Sequence, residues 1–265
     1  MNRVRVLFVG DLVGEAGRRV LGQHFERLVE RFGIDFSIVN VENAADGLGV
    51  TPVIADDLLA MGVSCLTSGN HIWDRREIRD YLVTERRLLR PVNYPPDLPG
   101  VGLFVGQTPG GIPVAVVNIM GRVFMPPVDD PFRAALDVVG EARRRAPVVI
   151  VDMHAEATSE KIAMGWYLDG QATAVLGTHT HIQTADERIL PGGTAYVTDV
   201  GMTGPYDSVI GMDKDIVLAR FVQRATNRMT SAHYDARLCA VVVEADPATG
   251  MATRIERLML PEVMP

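Results

Sequence analysis

The sequence contains few cysteines, lysines and aromatic residues. Its two cysteines, Cys65 and Cys239, cannot build a disulfide framework, and so few thiols favour a reducing compartment. Only Lys161 and Lys214 of the 26 basic residues are lysines, a preference for arginine from which we infer no function. Aromatic residues make up 6% of the chain and form no stripe that would mark an interface. The sequence therefore leaves open whether the chain forms a homo-oligomer.

The sequence also lacks an excess of basic charge and a long hydrophobic run. A net charge of −7 argues against a broad surface for duplex nucleic acid or an anionic membrane, because either would need a basic face. The longest stretch without a charged residue, 98–121, is interrupted repeatedly by proline and glycine, so it predicts a hairpin rather than a membrane helix. No long apolar signal core follows the first residues. We therefore expect a cytoplasmic protein with no membrane partner.

The dominant pattern is a short apolar, β-branched run, then a polar loop, then a segment with helical periodicity. A hydrophobic fraction of 47% and a charged fraction of 22% are ordinary for a globular chain, which argues against disorder. The runs predict strands at 4–9, 36–41, 65–67, 148–151 and 174–176. The periodic segments predict helices at 15–32, 51–61, 74–82, 131–145 and 159–168. Thr51 followed by Pro52 is a favourable start for the second helix.

The alternation of strand and helix predicts a mostly parallel sheet that is covered on both sides. A Gly/Pro hairpin is expected between 101–105 and 114–119. From residue 189 onward we expect strands of antiparallel character, at 196–197, 216–222 and 238–243. The predicted fold class is α/β, a layered sandwich of two mixed sheets flanked by helices. Because no linker rich in proline, glycine or serine divides the chain, we expect a single domain over residues 1–265.

Polar and ionisable residues cluster where the predicted strands end. In open α/β sheets, ligands bind at the carboxyl ends of the strands. Four of the six histidines lie at these ends, and we interpret the other two, His24 and His233, as surface or structural residues. The candidate site residues are Asp11, Glu42, Asn43, Asn70, His71, His154, His179 and His181.

Each of these residues alone has an ordinary structural explanation. Asp11 alone fits a turn or a helix cap, Asn70 fits an Asx turn, and His154 fits a hydrogen-bonded structural histidine. The His-x-His pair is harder to explain in this way, since residues i and i+2 of an extended segment, here His179 and His181, point to the same side. Convergence of the whole set on one sheet edge by coincidence is improbable, which favours a functional site.

The set of side chains fits a site for two metal ions. Histidine nitrogens and carboxylates suit iron, manganese or zinc, and asparagine carbonyls favour harder ions. Two divalent ions need a bridging carboxylate to lie about 3.5–4 Å apart, and Glu42 is well placed for this role. With Asp11 and Glu42 as the only anionic ligands, a formal charge of about +2 remains to attract phosphate and to lower the pKa of a bridging water. His71 is then free to act as a general acid near neutral pH.

Six short blocks of sequence contain or follow these residues. They are GDLVG (10–14), NVENAADG (40–47), SGNHIWD (68–74), DMHAEATSEK (152–161), GTHTHIQTAD (177–186) and TDVGMTGP (198–205). At these blocks the chain resembles the calcineurin-like metallophosphoesterases, and more closely their YmdB branch. Asp11 is followed by Leu12 and Val13 where the wider superfamily has Asp-x-His, and Glu42 stands where an aspartate usually bridges the metals. Both departures match the YmdB branch.

The resemblance implies a calcineurin-like metallophosphoesterase fold, a ligand set and an activity. It implies one metal held by Asp11, Glu42, Asn43 and His181, and a second held by Glu42, Asn70, His154 and His179. It further implies a phosphodiesterase that hydrolyses 2′,3′-cyclic nucleotides through a metal-bridging hydroxide, with His71 as proton donor. Iron is the expected metal and manganese the second choice, and the expected partner is a small phosphoester or cyclic nucleotide. The residues alone support only a metal-dependent phosphoester hydrolase.

Other functions have less support in the sequence. Gly10, Gly14 and Gly17 follow the first strand, but their spacing is not G-x-G-x-x-G, and the chain has no Walker motif. Cys65 lies inside an apolar strand, where a structural thiol is expected rather than a nucleophile. The alternative that remains is a metal-binding regulatory protein with incidental phosphatase activity, because it would keep the same ligands.

Two further features have open interpretations. The segment 198–205 is punctuated by glycine and carries Asp199 as its sole charge, so it is either a loop that closes over the substrate or a turn between antiparallel strands. Asp152 and Glu156 either orient the metal-binding histidines or have no part in the site.

Overall fold

The structure, a computed structural model, describes residues 3–263. Its first elements are β1 (Val4–Val9), α1 (Gly14–Phe32), β2 (Phe36–Asn40), α2 (Pro52–Ala60), β3 (Cys65–Thr67) and α3 (Ile78–Thr84). The middle elements are β4 (Leu103–Gln107), β5 (Pro113–Met120), α4 (Pro131–Arg145), β6 (Val148–His154), α5 (Thr158–Tyr167) and β7 (Ala174–Thr178). The remaining elements are β8 (Arg188–Ile189), β9 (Ala195–Val197), β10 (Gly204–Pro205), α6 (Lys214–Gln223), β11 (Ala236–Asp246) and β12 (Met251–Pro261).

The described strands form two mixed sheets. In the first sheet the order is β10-β11-β1-β2-β3, with β12 also paired to β11, and β1, β2 and β3 run parallel. In the second sheet the order is β4-β5-β6-β7-β9-β8, and β5, β6, β7 and β9 run parallel. Antiparallel pairs, such as β1 with β11 and β4 with β5, complete both sheets. The predicted pair of mixed sheets is therefore confirmed.

Three apolar layers hold the sheets and helices together. The middle layer lies between the two sheets and takes alternate residues of each strand, among them Val6 and Phe8 from β1 and Ile150 from β6. The outer face of the first sheet packs against α1, α2 and α3, and the outer face of the second packs against α4 and α5. Because the parallel strands are covered on both faces, they are continuous apolar runs in the sequence.

Local sequence signals account for several helix ends. Thr51 caps α2 as predicted, since its side chain accepts a hydrogen bond from the N–H of Ile54 and Pro52 occupies the first turn. Gly33 ends α1 in the left-handed conformation, with φ of 58°. Within residues 3–263, none of the helices combines the length and the apolar character that a membrane crossing requires.

The predicted strand at 216–222 is wrong, because this segment lies in α6. Its run of β-branched and apolar residues resembles a strand, but Asp213 provides a helix cap by accepting hydrogen bonds from the N–H groups of Asp215 and Ile216. Within α6, Val217 is the residue that is buried. The apolar run is therefore a weakly packed surface helix, and most of its apolar residues do not face the core.

The structure also corrects two element boundaries and one strand direction near the site. The helix expected at 74–82 begins at Ile78 and follows a short 3-10 turn, Asn70–Trp73. The strand expected at 148–151 continues to His154, so that this histidine is its last residue. The segment 196–197 was expected to be antiparallel, but β9 runs parallel to β7 and is antiparallel only to the two-residue strand β8.

Candidate metal centre

Residues that follow strands of different sheets meet at one edge of the molecule. His154, the last residue of β6, places Nε2 3.0 Å from Oε2 of Glu42, which follows β2. His179, just beyond β7, places Nδ1 3.6 Å from Oε1 of the same glutamate. The N–H of His179 also donates to Oδ2 of Asp11, at the end of β1, over 3.1 Å. The carboxyl ends of both parallel sets therefore meet here, as the position of the residues in the sequence predicts.

Two groups of possible metal ligands lie at this edge, and they share one residue. Ligand atoms of Asp11, Glu42 and His181 all lie within 4.8 Å of one another, and so do those of Glu42, His154 and His179. Glu42 is 1% exposed, and its two carboxylate oxygens face different histidines. A carboxylate in this position can bridge two cations.

The two predicted asparagine ligands lie one in each group. Oδ1 of Asn43 is 3.2 Å from Nε2 of His181, and Oδ1 of Asn70 is 3.3 Å from Nε2 of His154. The amide of Asn43 is held in this orientation because its Nδ2 donates to the carbonyl of Gly47 over 2.8 Å. All seven residues predicted as ligands are thus brought together.

Hydrogen bonds fix the tautomer of His154. The Thr178 hydroxyl donates to Asp152 over 2.6 Å, so that its oxygen accepts from Nδ1–H of His154 over 2.9 Å. Burial lowers the pKa of His154 to about 4, so the ring is neutral at pH 7. Its Nε2 then presents a lone pair that faces the oxygens of Glu42 and Asn70, with Nδ1 of His179 3.1 Å away. Two imidazole nitrogens, a carboxylate and an amide oxygen that converge in this way are donor atoms that fit a bound cation.

His181 shows the same arrangement in the other group. Its Nδ1–H donates to the backbone carbonyl of Ile210 over 2.8 Å, which leaves the Nε2 lone pair directed at the amide oxygen of Asn43. Burial lowers the pKa of this histidine as well, which favours the neutral, metal-binding form.

The buried carboxylates also lack partners that a cation would supply. Among residues 3–263, Oδ1 of Asp11 and Oε1 of Glu42 are buried and have no hydrogen-bond partner. Burial, together with the negative charges of Asp199 and Glu42, raises the pKa of Asp11 well above its usual range. Unpartnered buried oxygens are costly, and coordination to metal would satisfy both of them.

The geometric reason given for the His-x-His pair is wrong. His179 and His181 have φ values of 95° and 65°, so their backbone is left-handed. They lie in a loop beyond β7 and not on an extended segment. Both rings still reach the site, His179 toward Glu42 and His181 toward Asn43. The left-handed conformation of this loop, and not an extended strand, therefore places the two rings at the site.

His71 stands at the site without belonging to either ligand group. Its backbone N–H contacts Oε2 of Glu42 at 3.4 Å, and its side chain is 29% exposed. Nδ1–H donates to Asp74 over 2.8 Å, which leaves Nε2 for other contacts. His71, Glu156 and His179 line a cavity of about 370 Å³. The predicted proton donor thus faces the same space as the ligand groups.

Neither interpretation of segment 198–205 is right. Most of the segment is buried, and it carries the chain from β9 in the second sheet to β10 in the first. Met202 N–H donates to the carbonyl of His181, and Thr203 N–H donates to the carbonyl of Asp11. The segment is therefore a buried connection between the two sheets, and its backbone supports the loops that carry His181 and Asp11.

Asp152 and Glu156 both help to position histidines of the site, Asp152 through Thr178 and Glu156 by direct contact. Asp152 acts on His154 through Thr178, and its other oxygen accepts hydrogen bonds from Asn40 and Thr67. Oε2 of Glu156 lies 3.3 Å from Nε2 of His179. Thr178 is not among the site residues predicted from the sequence, although it directly precedes the His-x-His pair.

Substitution of Gly69 by alanine is expected to damage the site by steric overlap. A Cβ atom at this position would collide with Nε2 of His154 and Oε2 of Glu42. Displacement of a catalytic group by about 1 Å can cost roughly 100-fold in rate, and we expect a loss of that size together with loss of bound metal. Metal content and phosphodiester turnover measure it.

Gly22→Ala is the matched control, because Gly22 lies in α1 and a Cβ there would have only Met61 Cε within 4 Å, at 3.9 Å. This change should leave activity intact and raise stability by up to about 1 kcal/mol. Full activity of folded Gly69→Ala would show that the positions of these ligands are unimportant.

A fold and a site of this kind define a metallophosphoesterase. The chain belongs to the YmdB-like family, whose model matches residues 7–258. It is 47% identical over 257 residues to the 2′,3′-cyclic-nucleotide 2′-phosphodiesterase of Bacillus subtilis (strain 168), a match that covers 97% of each chain.

Two crystal structures have the same fold. One is a hypothetical protein from Thermus thermophilus, with a TM-score of 0.92 and 43% identity over 98% of this chain and 100% of that one. The other is a phosphatase from Mycoplasma pneumoniae, with a TM-score of 0.92 and 32% identity over 99% of this chain and 95% of that one. The predicted family and fold are confirmed. The prediction of a phosphoric ester hydrolase is confirmed as well, because the named relatives are a phosphodiesterase and a phosphatase.

Proposed function

We propose that this chain is a metal-dependent phosphodiesterase that hydrolyses 2′,3′-cyclic nucleotides at a two-metal centre. The observation that carries the proposal is the shared position of Glu42 in two groups of buried ligands. The named activity of the Bacillus subtilis relative supports the substrate class. Asp11, Glu42, Asn43 and His181 would hold one ion, and Glu42, Asn70, His154 and His179 would hold the other.

Bound at these groups, two ions would supply positive charge for the phosphate and Lewis acidity for its hydrolysis. The donor set of imidazole nitrogens, carboxylates and amide oxygens suits iron, which we propose as the metal, with manganese as a substitute. The protein's own contribution is to keep these donors fixed and their lone pairs directed inward, as the hydrogen bonds of His154 and His181 do.

His71 is proposed as the proton donor to the leaving oxygen. Its bond to Asp74 orients the ring through Nδ1 and leaves Nε2–H of the protonated ring to face the cavity. A ribose hydroxyl is a poor leaving group, so proton transfer to it contributes strongly to the rate. His71 can give up this proton without disturbing either ligand group.

The space around the site is large enough for a nucleotide. Leu48 lines both the cavity of about 370 Å³ at the ligand groups and a neighbouring cavity of about 580 Å³, and Arg75 and Arg228 line the second. Apolar and guanidinium groups of this kind can contact a base and a ribose. A regulatory protein with incidental activity has less support, because the named relatives are enzymes.

The proposal is tested by hydrolysis of bis(p-nitrophenyl) phosphate beside its monoester, with protein stripped of metal and then reloaded with manganese. We expect diester turnover that disappears on stripping and returns with the metal, because the ligand groups have no other means to polarise the phosphate. Absence of turnover with either ester or with 2′,3′-cyclic AMP, on protein shown to be loaded, would contradict the proposal. A cytoplasmic location goes with this small, diffusible class of substrate and stays a prediction.

A further inference from the structure

A buried ion pair lies beneath the candidate metal centre. Nζ of Lys161, on α5, is 2.6 Å from Oδ2 of Asp199, and both side chains are fully buried. Burial of two charges has a desolvation cost that often exceeds their attraction, so stability alone does not explain such a pair. Neither residue belongs to the two ligand groups.

Asp199 binds the loop that carries the two histidines. Its Oδ2 accepts hydrogen bonds from the backbone N–H of Thr180 over 3.1 Å and from the Thr180 hydroxyl over 2.6 Å. Its Oδ1 accepts from the N–H of Gly201 over 2.8 Å. Thr180 is the residue between His179 and His181, so the carboxylate holds the loop at its centre.

The loop needs this support because its backbone is strained. His179 and His181 both have positive φ, a region that residues with a Cβ seldom occupy and that persists only where surrounding contacts enforce it. Two hydrogen bonds from the intervening residue to one buried carboxylate are such contacts. The ammonium group of Lys161 in turn contacts this carboxylate and offsets its negative charge, which acts on Asp11.

The strand next to the loop is built around the lysine. Gly177 lies in β7, two residues before His179, and a Cβ there would collide with the carbonyl of Thr198 and lie 2.9 Å from Cδ of Lys161. Glycine at this position makes room for both the connection between the sheets and the buried side chain. The buried ion pair therefore requires a residue without a side chain at this position of β7.

We propose that Lys161 and Asp199 are positioning residues, which hold the His179–His181 loop so that its two imidazoles lie one in each metal-binding group. The inference rests on the proposed two-metal centre. Oδ2 of Asp199 accepts both hydrogen bonds from Thr180, and the contact with Nζ of Lys161 fixes that carboxylate in place. Loss of either residue releases the loop, and both ions are then bound more weakly.

The test is the affinity for Mn²⁺, measured by titration of stripped protein, in variants of Asp199 and Thr180. In Asp199→Asn one acceptor oxygen becomes a donor that faces Lys161 or the N–H of Gly201, and we expect roughly 100-fold weaker binding. Thr180→Val removes the hydroxyl bond without any change of charge and is expected to weaken binding roughly tenfold. Thr180→Ser retains the hydroxyl and should restore the affinity of the original protein.

Thr173→Val is the control for a purely structural effect. Thr173 is a buried threonine whose hydroxyl donates to the carbonyl of Gly250 and accepts from the N–H of Val149, with no contact to the histidine loop. We expect this variant to lose thermal stability and to keep its Mn²⁺ affinity. Equal loss of affinity in Thr173→Val and Thr180→Val would overturn the positioning role.

The outcomes also separate this inference from the proposed function. If the unaltered protein binds two Mn²⁺ and hydrolyses diesters while Thr180→Val and Asp199→Asn bind equally well, the positioning role alone is wrong. If the unaltered protein binds no Mn²⁺, the two-metal centre fails and the positioning role fails with it. If Asp199→Asn does not fold, the comparison of Thr180→Val with Thr180→Ser decides.

Discussion

Replacement of Glu42 by glutamine is expected to lower the rate of phosphodiester hydrolysis on the order of 10³-fold. Glu42 is the residue common to both ligand groups, and its two oxygens face His154 and His179. Glutamine has nearly the same shape but carries no charge and has one acceptor oxygen instead of two. Both ions should therefore be bound more weakly, and their number per chain should fall in parallel with the rate.

Glu244→Gln is the matched control for this change. Glu244 is also a mostly buried glutamate, but it pairs with Arg3 and Arg5 on the first sheet and contacts no residue of the site. It should lose some stability and retain both metal content and rate. Retention of two ions and nearly full activity in Glu42→Gln would mean that no bridging carboxylate is needed.

Replacement of His71 by alanine is expected to have an effect that depends on the leaving group. With a 2′,3′-cyclic nucleotide, whose leaving group is a ribose hydroxyl, the rate should fall roughly 10²- to 10⁴-fold, the usual contribution of a general acid. With bis(p-nitrophenyl) phosphate, whose nitrophenolate leaves without a proton, the rate should change little. Metal content should be unchanged, because His71 lies outside both ligand groups.

His24→Ala controls for the loss of a histidine away from the site, since Nε2 of His24, on α1, lies 2.8 Å from the backbone carbonyl oxygen of Pro261. Both substrates should be hydrolysed by this variant at the original rate. Equal losses with the two substrates in His71→Ala, or a loss of bound metal, would assign His71 a role other than proton donation.

The position of the site could be predicted from the sequence because it follows from the ends of parallel strands. Asp11, Glu42 and His154 each come directly at or after a buried apolar run, and parallel strands bring such positions to one edge. Alternation of strand and helix likewise predicted a covered parallel sheet, and the β-rich later part of the chain predicted a second sheet packed on it. These features depend on the order of apolar and polar residues along short segments, and this order can be read directly from the sequence.

What the sequence did not reveal depends on contacts between distant segments. Nothing local distinguishes the apolar run of α6 from a strand except Asp213 as its cap. The left-handed backbone of His179 and His181 is held by Asp199, which lies 19 residues from Thr180. Lys161 is one of two lysines in an arginine-rich chain, and only its burial against Asp199 gives that fact a structural meaning.

The most direct test of the two-metal centre is a stepwise reloading of stripped protein with Mn²⁺, in which the rate of 2′,3′-cyclic AMP hydrolysis is measured against the number of ions per chain. We expect two ions per chain at saturation and a rate that follows the fraction of chains with both. Full turnover by metal-free protein, or a maximal rate with a single ion per chain, would contradict the two-metal centre.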